Sequence, residues 1–165
     1  EIDLTGLDPY AVATDHYLQG LVALNHDDLS GARASLAVMG GANRPMDGNR
    51  STVSPHLLRL ALEGQIEVAA GNADTGLELI AEAEALEATL PSEYGPAVPI
   101  QPMAELLADT YLALGNHQMA RQYYDDSLAR AVGRERSLVG LEKARAAASA
   151  SEAPTRGEPM AGVAQ

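Results

Sequence analysis

Asp27, Gly71 and Gly115 stand forty-four residues apart, and the same interval relates Gly20, Gly64 and Ala108 before them and Ala32, Gly76 and Ala120 after them. Gly and Asp tolerate the left-handed backbone on which helices end. Small side chains are what two helices require where their axes come close. Three turns flanked at one phase by small residues therefore describe three similar helical hairpins. A single hairpin cannot bury both of its faces, so the three must stack. The expected fold class is all-α, an α-α superhelix of about three hairpins closed by a C-terminal covering helix.

The third hairpin is the most legible. Leu106, Leu107, Tyr111 and Leu114 recur at helical spacing, with Glu105 and Asp109 on another side. Gly115 stops that helix, Asn116 caps the next, and Ala120, Tyr124 and Leu128 repeat every four residues. Upstream, Asp8-Pro9 opens a helix carrying Ala13, Tyr17, Leu18, Leu21 and Leu24, His26-Asp27-Asp28 turns the chain, and Leu29 to Met39 returns before Gly40-Gly41. Ser54-Pro55 opens the second hairpin, which turns at Gly71-Asn72 and returns through Leu77, Ile80, Ala83 and Leu86. The hairpins thus span about 9–40, 55–90 and 102–132, and a last amphipathic helix over 135–149 presents Leu138, Leu141 and Ala144. Two insertions rich in Pro and Gly, Gly41 to Val53 and Pro91 to Gln101, separate the hairpins. One repeat domain over 1–150 is expected, followed by a flexible tail over 151–165.

Leu107, Ala108, Tyr111, Gly115, Asn116, Ala120 and Tyr124 resemble the signature of the tetratricopeptide repeat (TPR) family over one ~34-residue unit. The longer period here matches that unit plus an insertion of about ten residues at each junction. The first hairpin departs from the signature at Gln19 and Ala23, and the second at Glu63 and Glu67. The run from Leu77 to Leu141, with its Glu-Tyr-Gly-Pro crossing and Gly-Arg-Glu-Arg-Ser-Leu-Val-Gly-Leu close, resembles a bacterial group of TPR proteins of unassigned function. Many of that group carry an export signal. The resemblance implies the C-terminal portion of a longer protein, and it supplies no catalytic residue. A start at Glu1 rather than Met agrees with a trimmed N-terminus.

Charge narrows the partners. A formal net charge of -12 argues against a nucleic-acid binder, which needs a basic stripe, and against docking on an anionic membrane. No apolar run approaches the ~20 residues that span a bilayer, so a soluble protein is expected; its compartment is left open, and the bacterial cytoplasm or, by export, the periplasm is what the resemblance implies. With no Cys, thiolate nucleophiles and Cys-based metal sites are excluded. His16, His26, His56 and His117 never fall at the spacing that puts two ligands on one helix face, and neither a nucleophile elbow nor a phosphate loop is present. No cofactor, metal or catalytic residue is expected.

The remaining candidate is the inner surface of the stack, lined by the first helix of each hairpin. The common phase places Tyr17, Leu21 and Leu24, then Leu58, Leu62 and Gln65, then Glu105, Asp109 and Leu112, then Arg136 and Lys143 along it. Such a groove, apolar at one end and charged at the other, suits an amphipathic helix or an extended peptide with a basic segment. The expected function is a non-catalytic protein-protein interaction module, a scaffold or adaptor. Three alternatives stand beside it: the apolar members of the set are core, the chain is a permanent structural subunit of a larger complex or homo-oligomer, or, ranked last, it is an enzyme with Glu105 and Asp109 as its acids.

Overall fold

The computed structural model describes residues 8–40, 50–90 and 101–152. Among them are seven helices and no strand: α1 (Pro9–Asn25), α2 (Leu29–Val38), α3 (Arg50–Ala69), α4 (Ala73–Ala88), α5 (Met103–Ala113), α6 (His117–Arg130) and α7 (Glu135–Glu152). None is long and apolar enough to cross a membrane.

The three hairpin turns are copies of one device. Asp27, Gly71 and Gly115 have φ of 58°, 91° and 79°, the left-handed region. At each, the N–H of the following residue reaches back to a carbonyl five residues earlier: Asp28 to Ala23 at 2.9 Å, Asn72 to Glu67 at 2.8 Å and Asn116 to Tyr111 at 2.9 Å. These bonds satisfy carbonyls that the helix ends leave open. Side chains then cap the amides of the next helix, Asp28 accepting from Gly31 N at 2.8 Å and Asn116 from Met119 N at 3.1 Å. Asn72 departs, donating its amide to Glu67 at 2.7 Å instead.

The small residues lie where the helices meet. Gly64 and Gly76 bring α3 and α4 into backbone contact, so that a Cβ on either would lie within 2.7 Å of the other's carbonyl oxygen. Gly20 receives the methyls of Leu62, and Ala32, Ala108 and Ala120 are fully buried. We expect Ala120→Leu to lower stability by about 1–3 kcal/mol, because α6 must retreat from α5. An unchanged thermal melt would remove this residue from the packing account.

Stacking differs at each junction. α3 lies on both α1 and α2, whereas α5 meets the preceding hairpin chiefly through α4. Glu87 of α4 reinforces that contact by accepting the Met103 N–H at 2.8 Å, since Pro102 at the N-cap has no side-chain acceptor of its own. α7 then covers α6 and touches α5. Two apolar clusters result. The larger joins α1 to α4 with the start of α5, and the smaller joins Ala108, Ala120, Tyr124, Leu141 and Ala144.

Several boundaries move from those expected. α3 begins at Arg50, so Pro55 is inside the helix rather than at its opening. The missing N–H removes one helical bond, and the longer helix gains burial of Val53. α4 stops at Ala88, short of the expected Leu90, while α7 continues through Ser151 and Glu152. The greater part of both insertions, 41–49 and 91–100, and the tail over 153–165 lie outside the described residues.

Candidate functional site

Three of the residues placed on the inner surface belong to the core. Tyr17, Leu58 and Leu62 are at most 5% exposed, and Leu21 is half-buried against them. The physical reason is the close approach of α3 to α1 at Gly20, which closes the space a ligand would need. Gln65 is half-buried as well, bridging from the Ala61 carbonyl at 3.1 Å to the Tyr17 hydroxyl at 3.4 Å.

Glu105 also moves from the expected groove to the interior, with no exposed side-chain surface. Helical spacing places it beside Asp109 on the polar side of α5, but α7 folds across that side. Arg134 grips its carboxylate at two points, Nε to Oε2 at 2.6 Å and Nη2 to Oε1 at 3.0 Å. The Ser137 hydroxyl donates to Oε2 at 2.5 Å and lies 3.0 Å from the equally buried Ser127 hydroxyl. Arg136 bridges outward, 3.3 Å from Glu105 and 2.7 Å from Asp109. Asp109 accepts in addition from the Tyr124 hydroxyl at 2.6 Å and from Gln101 at 3.0 Å. The two carboxylates therefore spend their acceptors inside the chain, tying α5 to α6 and α7.

The electrostatics follow from that geometry. Burial alone would push the Glu105 carboxyl up, but the Arg134 and Ser137 hydrogen bonds and the two nearby guanidinium charges outweigh it and hold the pKa below the ordinary value. Burial and the Asp109 hydrogen bond together drive the Tyr124 phenol well above its usual range. A carboxyl whose folded pKa is depressed lends stability that is present above its unfolded pKa, near 4.5, and lost as pH falls through the folded value. Glu87 runs the other way, raised mainly by burial. We therefore expect the urea midpoint to fall below pH 4.5 more steeply in the native chain than in Glu105→Gln, with Glu87 common to both. Parallel pH profiles would contradict the assignment.

Beside this clamp runs a groove of about 620 Å³ between α5 and α7. Leu112, Ala113 and Val139 form its apolar wall, and Asp109, Glu135, Arg136 and Lys143 its charged one. Gly140 is required there because a Cβ would strike the ring of Tyr124. Lys143 has no ion-pair partner among the described residues, and Val139 is 42% exposed. Of the expected groove residues, the structure brings together Asp109, Leu112, Arg136 and Lys143, with Glu105 beneath them. Arg134, Ser137, Ser127, Tyr124 and Gln101 escaped the spacing argument, and the available signal was two Arg flanking the start of an amphipathic helix with an acidic pair upstream. Among the described residues, no cluster of His and acidic residues suited to a metal occurs.

Comparison with protein families, with curated proteins and with solved structures returned no match.

Proposed function

We propose that this chain is a non-catalytic protein-interaction module of the tetratricopeptide-like kind, which holds a segment of a partner protein in the groove between α5 and α7. The observation that carries the reading is an open groove whose apolar wall is exposed beside an Asp109 carboxylate already paired with Arg136. Glu105 and Asp109 are satisfied within the chain, which leaves Glu135 as the groove acid that a basic residue of the partner segment would meet. The occupant is a helix or extended segment that lays apolar side chains on Leu112 and Val139. The repeated turn at Asp27, Gly71 and Gly115 supports the family reading, since stacked hairpins commonly build such surfaces.

Selection of peptides from a random library against the whole chain tests this. Enriched sequences are expected to bind roughly tenfold or more weakly to Val139→Asp, which places a charge on the apolar wall. That side chain is already partly exposed, so the melting temperature should hold. No enrichment, or binding indifferent to the substitution, removes the groove from consideration.

A further inference from the structure

Ala11, Asp15, Leu18, Val22 and Asn25 follow one another at intervals of four, three, four and three along α1, which puts them on one stripe. Leu18 is 43% and Val22 59% exposed, although both are large apolar side chains. The forty-four-residue phase shows what this stripe does elsewhere. On α3 the equivalent residues are Leu62 and Ile66, and on α5 they are Leu106 and Thr110. All four are buried, Leu62 against Gly20 of the hairpin before it. The stripe is thus the surface by which a first helix is laid on another helix, and only on α1 is it uncovered among the described residues.

We propose that the stripe is covered by a second copy of this chain, the two α1 helices pairing antiparallel about a two-fold axis near Gly20. A stripe of this spacing pairs with itself residue against residue: Leu18 meets Val22 of the second copy, and Asp15 meets Asn25 of the second copy. The polar pair is complementary. Asp15 Oδ2 is taken by Gln19 at 2.6 Å, while Oδ1 accepts no hydrogen bond among the described residues and is free for an amide. In a chain of net charge -12, α1 itself contains Asp15 as its single acidic residue and no Lys or Arg, so the helix brings one acid per copy to the pairing, with the turn acids Asp27 and Asp28 following beyond Asn25. The stripe is one helix wide, below the size of a standard interface, and the dimer is correspondingly weak and concentration-dependent. It lies on α1, away from the α5–α7 groove, so its failure leaves the groove reading untouched.

Sedimentation equilibrium of the whole chain tests the pairing at loadings from about 10 μM to about 1 mM, where an interface of this class associates. The average mass should climb from 17.2 kDa toward twice that value. Val22→Glu buries an unpaired charge and should weaken association roughly tenfold or more, with unchanged helical circular dichroism. A mass fixed at one chain throughout, as a different protein on the stripe would give, overturns the proposal; so does a dimer unaffected by Val22→Glu. The chain lacks Cys, which allows a second reading of the geometry. A mixture of Leu18→Cys and Val22→Cys chains should form the mixed disulfide faster than either chain oxidises alone, and faster self-oxidation of each contradicts the antiparallel arrangement.

Discussion

Arg134→Ala is expected to lower the unfolding free energy by about 3 kcal/mol, because it strands the Glu105 carboxylate in the interior. Breaking a buried ion pair from one side typically costs about 3–5 kcal/mol, since the charge left behind keeps its desolvation penalty and loses its compensation. The lower end applies here: Arg136 remains 3.3 Å from Oε1, and the Ser137 hydroxyl still donates. The pair itself is weaker evidence of net stability than the loss suggests. Replacing both partners at once, as in Glu105→Met with Arg134→Leu, should recover most of the deficit, because neither charge is then left buried. Urea unfolding of the two variants beside the native chain checks both statements. A single variant as stable as the native chain would mean that Glu105 is solvated and that α7 is held by its apolar contacts alone.

Gly76→Val is expected to be comparably damaging, at about 3 kcal/mol. The first added carbon would lie 2.6 Å from the Gly64 carbonyl oxygen, 2.9 Å from the Val68 nitrogen and 2.5 Å from a Val68 methyl. Two of these neighbours are backbone and cannot rotate aside, so α3 and α4 must separate along the centre of the larger core. Gly71→Ala makes a useful contrast. An added Cβ there meets nothing, and its penalty is confined to about 1–2 kcal/mol for the left-handed φ of 91°. Denaturation midpoints should therefore rank Gly76→Val well below Gly71→Ala. The reverse order would contradict the helix-helix contact.

The same contrast explains what the sequence disclosed and what it withheld. A left-handed turn and a close helix approach each constrain the residue type at one position, so Asp27, Gly71 and Gly115, with Gly64, Gly76 and Ala120 around them, announce the hairpins directly. Burial of a polar side chain carries no such mark. Glu105 lies on the polar side of α5 by every local criterion, and it is interior because Arg134 and Ser137 arrive with α7, some thirty residues later. Leu18 and Leu62 make the complementary case. They share a phase and a residue type, yet one is exposed and the other buried, because only α3 has a hairpin packed before it in the described structure. Periodicity specifies a face, and the neighbours decide whether that face is wet. Pro55 suggests a helix opening by its usual preference, which the burial of Val53 on the turn before it overrides.

Function follows the same division. The common phase lays eleven residues along one inner surface, but close packing of α1 on α3 removes the apolar ones on those two helices and the arginine clamp removes Glu105. A shorter groove remains at the C-terminal end, where α7 is set against α5 by the clamp beneath it. Its role as a binding surface is open to one direct measurement: amide chemical shifts of isotope-labelled protein, titrated with a peptide selected against the whole chain. The account predicts that the largest changes fall on Leu112, Ala113, Val139 and Lys143, with α1 and α2 unmoved. Changes confined to α1 through α4, with the α5–α7 groove silent at saturation, would contradict it.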